Sequence, residues 1–177
     1  MANLPYTLQK SVGSKLSAAD WNTYVKGNDD FFIYNRPLCI AHQSVAQVVA
    51  TSTYTPITMD TETLDRDNQH STVTSTDRVV IGNTLGWYRV SGVVAFPGNA
   101  TGTRIAAIFL NGAQATTTGY TRVVANASFT VIPVTAIVQA TASTDYVQCI
   151  AWQDSGASLT TPVVGAFSSI TVEWIGS

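Results

Sequence analysis

From Pro37 onward the chain is written in short stretches of β-branched and aromatic residues, separated by clusters of Gly, Asn, Asp and Ser. That punctuation predicts strands joined by turns. The clearest stretch is Gly86 to Phe96, GWYRVSGVVAF, in which Tyr88, Val90, Val94 and Phe96 share one face and Arg89 and Ser91 the other. Arg104 to Leu110, including Ile108, and Tyr146 to Trp152 are apolar on both faces. Strands of that kind are covered on both sides, so one side is assigned to the core and the other to a partner. Further strands are expected at Cys39 to Thr51, Tyr54 to Met59, Arg78 to Ile81, Thr121 to Val124, Ser128 to Ala140 and Ser168 to Ile175. Many short strands with no helical pattern between them predict an all-β sandwich or jelly roll.

The first 36 residues have a different character. Residues 1–16 are broken by Pro5 and Gly13 and predict an extended arm. Ser17, followed three positions later by Asp20, predicts a capping box, with Leu16 placed as a staple residue. A short helix is expected from Ala18 to about Lys26, stopped by Gly27 and Asn28. Its stripe of Ala18, Trp21 and Val25, with Tyr24 beside it, is too short to be stable alone. Trp21, Tyr24 and Val25 therefore need a surface to pack on, either their own domain or another protein. The expected organisation is an N-terminal arm and helix over 1–36 and one jelly-roll domain over 37–177.

The 177 residues suffice for one core and an appendage. Charged residues are 11% of the chain, and much of the remaining polarity is hydroxyl and amide. Such surfaces are covered by a neighbour at lower desolvation cost than charged ones, which favours self-association. A net charge of −2 with no basic run argues against nucleic acid. No apolar run is long enough to span a bilayer and the first residues lack a secretory pattern, so synthesis and retention in the cytosol are expected, with no membrane insertion. Cys39 and Cys149 are expected to be buried free thiols.

Catalytic motifs are missing from the sequence, and with only His42 and His70 as histidines an enzyme is not expected. Asp60, Glu62, Asp65, Asp67 and Asn68 place five oxygen-bearing side chains within nine positions, the donor type that calcium takes. His70 stands where a helix-loop-helix calcium site needs glycine, so a solvated loop with no cofactor is the expectation. Tyr54, Trp87, Tyr120 and Trp152 supply rings either for packing or for stacking on a host glycan.

The order of the acidic stretch TMDTETLDRDNQHS, the strand GWYRVSGVVAF, GNATGTRIAAIFLNGA, STDYVQCIAWQDSG and the closing SSITVEWIG resembles the jelly-roll heads shared by the first complement component and tumour necrosis factor, in the version seen among phage virion proteins. The likeness covers residues 38–177. SAADWNTYVKGND resembles a segment preceding such heads in structural proteins of actinobacterial phages. The resemblance implies a homotrimer located on the virion, contacting capsid or tail proteins. It assigns Tyr88, Val90, Val94, Phe96, Ile108, Leu110 and Trp152 to the core or the trimer contact. The function it implies is capsid decoration or a minor tail or fibre part, with a receptor-binding module at a tail tip as the alternative.

Overall fold

The computed structural model describes residues 14, 15, 17–115 and 119–177. Most of the arm expected over 1–16, with the staple at Leu16, lies outside the described residues. The body is a jelly-roll sandwich of thirteen strands: β1 Leu38–His42, β2 Val48–Val49, β3 Thr55–Pro56, β4 Thr61–Asp65, β5 Val79–Val80, β6 Gly86–Phe96, β7 Thr103–Leu110, β8 Ala113–Gln114, β9 Tyr120–Val124, β10 Thr130–Ala140, β11 Tyr146–Gln153, β12 Leu159–Thr160 and β13 Ser169–Gly176. One sheet has the order β10-β6-β13-β1-β4, and the other runs β3-β11-β7-β8 with β5 on β11 and β9 on β7. β2 and β12 form a separate ribbon.

The longest pairing joins β10 to β6, from Thr130↔Phe96 to Ala140↔Gly86 without a register shift. β10 alternates buried and exposed at every position, as period-two sterics require of a strand covered on one face. The inward set, Ile132, Val134, Ala136 and Val138, meets Val90, Val94, Phe96, Ile108 and Cys149 in one continuous core. At Gly92 the sheets approach so closely that a Cβ would lie 2.8 Å from Cys149 Sγ. β13 lies between β6 and β1 and carries Trp174 inward, its indole N–H donating to the Leu85 carbonyl at 3.1 Å.

Helix α1, residues 18–35, is longer than expected. Ser17 and Asp20 form the capping box, but helical structure then continues through Gly27 and Asn28, with wide π-type turns at Trp21–Lys26 and Phe31–Asn35. Gly27 adopts helical angles (φ −63°, ψ −36°), a choice that costs only about 1 kcal/mol relative to alanine. The Lys26–Asp30 pair one turn on supports it. The stop falls at Arg36, which is extended (ψ 131°), because a residue before proline is driven from the helical region.

Two strand expectations also change. The run from Cys39 to Thr51 divides into β1 and β2, and part of the acidic stretch forms β4, paired with β1 across a bulge between Ile40 and Ala41. The face of β7 and β11 expected to need a partner is largely closed within the chain. Ile105, Ala107 and Ile150 form a second small cluster there, walled by Phe109 and Trp152.

Candidate interaction surfaces

Phe31 is the helical residue that reaches the core. Its ring meets Trp174 edge-on at 5.2 Å and is 2% exposed. Arg36, just beyond α1, donates to Glu173 on β13, which also faces Arg89 at 3.6 Å. These contacts fasten α1 at the end of the sandwich where β1 starts and β13 finishes. Trp21, in contrast, is 55% exposed, while Tyr24 and Val25 are half-buried. Phe32, Ile33 and Tyr34 are also exposed, so the helix displays apolar residues around most of its circumference. Phe31 escaped the sequence reading because the assumed stop at Gly27 left it outside any helical face.

The outward face of the five-stranded sheet is a second surface. Register places Pro133, Val93, Ser169 and His42 in one row, and Thr135, Ser91, Thr171 and Ile40 in the next. Val131 lies beside Ala95 at the upper margin and is 51% exposed; Phe129 and Phe167 are also about half exposed, the Phe167 ring tilted against His42 at 5.6 Å. Among the described residues of the paired strands, charge enters this face along the lower row, at Arg89 and Glu173, where Arg36 joins them. The rest is mostly aliphatic or hydroxyl-bearing, with His42, Gln139 and Trp87 among it.

Of the positions assigned to the core or the trimer contact, Tyr88, Val90, Val94, Phe96 and Ile108 lie in the interior, and Leu110 packs against it. Burial pushes the Tyr88 hydroxyl's pKa upward, and the hydroxyl donates to the Thr84 carbonyl at 2.7 Å. Trp152 belongs to the opposite outer face, with Tyr54 at 6.3 Å and Phe109 at 5.5 Å from Tyr54. Tyr120 is on the same sheet, opposite Ala107, whereas Trp87 stands on the other sheet and joins no common platform.

The acidic residues do not converge. Asp60 accepts from the Ser44 N–H and hydroxyl, and Asp65 from the N–H groups of Asp67, Gln69 and His70. Glu62 contacts His70 Nδ1 at 2.9 Å, and buried Asp67 accepts from the Thr84 hydroxyl. Asn68 is a turn residue at φ 48° whose carbonyl accepts from Asn83. Among the described residues no group of three or more His, Cys, Asp or Glu side chains is arranged to hold a metal ion. Glu62, Asp65, Asp67 and Asn68 instead organise the loop after β4, and Asp60 ties down the loop after β1. Burial raises the Asp60 carboxyl's pKa, but the Ser44 donors outweigh it and hold the group below 3.8.

Cys39 and Cys149 are both buried and free. Burial pushes each thiol up to about 12, with Asp65 and Glu62 adding to the effect at Cys39. Neither is a nucleophile at neutral pH. No helix among the described residues is long and apolar enough to cross a membrane.

These elements define a jelly roll of the type found in complement and tumour-necrosis-factor heads. In sequence the chain matches no family model and no curated protein. In structure it is similar to the globular domain of zebrafish complement 1qA (TM-score 0.58, 11% identity, 79% of this chain and 97% of that one). It is also similar to the PRD1 vertex protein P5 (TM-score 0.56, 12% identity, 80% and 74%) and to murine APRIL (TM-score 0.52, 13% identity, 77% and 98%).

Proposed function

We propose that the chain is a non-enzymatic structural protein of a phage virion, a homotrimer made in the host cytoplasm and held on the particle by its N-terminal segment, residues 1–36. The observation that carries this reading is the outward face of the five-stranded sheet, where Val131, Pro133, Val93 and Ile40 belong to a mostly aliphatic and hydroxyl-bearing surface whose described charges gather on its lower row. A copy of the chain covers such a face at low desolvation cost. The likeness to a vertex protein supports the virion assignment. Decoration of the capsid fits the compact body better than a fibre does, and Trp21, Tyr24 and Val25 are the docking residues in this reading.

Light scattering after size exclusion tests the trimer: three chains are expected, each contact burying more than about 1,000 Å², and a monomer at micromolar concentration refutes it. Sedimentation with particles depleted of the protein tests docking. Full-length chain co-sediments and Trp21→Ala binds at least tenfold less; equal binding by both sinks the docking role. Copy number in purified particles separates decoration, with many copies, from a tail position, with few. The second reading, a receptor-binding module for a host glycan or protein, is favoured by the half-exposed rings of Tyr54, Phe109 and Trp152 on one face.

A further inference from the structure

Between the loop that follows β4 and the turn joining β10 to β11 lies a cavity of about 510 Å³, on the flank of the second sheet toward the end where α1 is fastened. This volume is in the range of small-molecule sites. Its lining includes Arg78, Tyr146, Thr74, Ser143, Thr144 and Gln69. Arg78 is held by two partners, Asp77 through Nε and Nη2 at 3.2 and 3.3 Å, and the Tyr146 ring, 4.5 Å below its guanidinium carbon. Among the described residues, non-glycine positions with positive φ are Ser52, Asn68, Ser75 and Asn111, and two of these, Asn68 and Ser75, line the cavity. Backbone held in this region away from glycine gathers at binding sites.

The chemistry of the walls narrows the occupant. Each neighbouring carboxylate is engaged: Asp77 by Arg78 and Gln148, Asp145 by Asn111 and the Thr141 and Ala142 N–H groups, Glu62 by His70. With Arg78 neutralised by Asp77 and acidic groups standing behind the lining, an anion meets no net attraction. Among the described residues no three His, Cys, Asp or Glu side chains converge to hold a metal ion. An apolar ligand has little beyond Val80 and the Tyr146 ring to cover. A ring of hydroxyls matches the exposed Thr74, Ser143 and Thr144 as mutual donors and acceptors. Its C–H face can lie on the stacked Arg78 and Tyr146.

We propose that this cavity is a binding subsite for a neutral saccharide, formed by Arg78, Tyr146 and the hydroxyls of Thr74, Ser143 and Thr144. The subsite is separate from the Tyr54, Phe109 and Trp152 cluster and does not depend on the virion reading.

Saturation-transfer NMR of the full chain with millimolar glucose, galactose, mannose and N-acetylglucosamine tests it, with glucose 6-phosphate as the charged comparison. At least one neutral sugar is expected to give transfer, and the phosphate ester less than its parent. Thr144→Trp places an indole from an exposed turn into the cavity and should weaken binding more than tenfold at unchanged melting temperature. Ser143→Phe does the same from the adjacent position and guards against a folding defect in the first variant. Tyr54→Ala should bind as the parent does. No transfer from any neutral sugar overturns the proposal, as does preference for the phosphate ester, or binding that survives both filling variants and is lost in Tyr54→Ala.

Discussion

Gly92→Ala adds a single methyl group at the narrowest part of the sandwich. The new Cβ would lie 2.8 Å from Cys149 Sγ, 3.2 Å from Val134 Cγ1 and 3.3 Å from Ile108 Cδ1. None of these is the loose end of a flexible chain, because Cys149, Val134 and Ile108 are all in the core. Overpacking of this kind costs about 1–3 kcal/mol. Alanine returns about 0.4–1 kcal/mol by restricting the unfolded chain, and the glycine φ here is not one that alanine resists. The net loss is about 1–2 kcal/mol, or a melting point lower by about 2–8 °C for a domain of this size. Urea unfolding followed by tryptophan fluorescence measures it. Removing the obstructing sulfur in Cys149→Ala should relieve the clash, so the double variant should lose about 1 kcal/mol less than the sum of the singles. A stabilised Gly92→Ala protein, or strict additivity with Cys149→Ala, refutes the claim that sheet separation at this point is set by the missing side chain.

Val131→Asp, on the outward face of β10, should convert the trimer to monomers in light scattering without loss of far-ultraviolet circular dichroism; an intact trimer refutes the assignment of that face. Phe31→Ala should cost about 3 kcal/mol, typical for a buried phenylalanine, and speed hydrogen exchange across residues 18–35; unchanged exchange means α1 is held elsewhere. A chain starting at Pro37 loses the same ring and should still fold, with a lower melting point. On acidification, Asp154, held low by the Thr103 N–H, and Asp60 and Asp145, whose hydrogen bonds outweigh burial, have folded pKa values below 3.8. Their contribution is complete above that value and is lost as pH falls through the folded pKa values, so stability should be flat from pH 7 to 5 and decline below about 4; a decline centred near pH 6 contradicts this. Cys39 and Cys149, pushed up to about 12, should not react with an aromatic disulfide reagent until the chain unfolds, and rapid native labelling excludes the burial described.

The strands legible in sequence were those whose pattern is local. GWYRVSGVVAF coincides with β6, and the long run ending at Ala140 with β10, because period-two burial is written directly into their residues. β4 was hidden because its residues, TETLD, have no apolar alternation; it is a strand by virtue of the β1 edge it pairs with. The length of α1 was missed for a similar reason. Phe31 is fixed by Trp174, at the far end of the chain, and no window around Gly27 contains that contact. Apolarity on both faces of β7 and β11 was read correctly, but sequence does not show that Phe109 and Trp152 crowd around Ile105, Ala107 and Ile150 and meet the chain's own Tyr54. The flank cavity draws its walls from residues 68–80 and 143–146, and no motif announces it.

Because β1 begins and β13 finishes beside one another, α1 and residue 177 belong to the same end of the sandwich. A peptide fused at either place would share that end and crowd the exposed side of the helix. The opposite end is formed by turns, among them the loop after β11, where Gly156 sits at φ 86° with nothing within 4 Å of the position its Cβ would take. Arg104, buried beneath the neighbouring turn, ties the carbonyls of Asn99, Thr101 and Thr103 into a firm rim next to it. For vaccine display or affinity capture, a foreign epitope spliced at Gly156 would therefore be carried on a firm rim at the end of the sandwich away from α1 and residue 177.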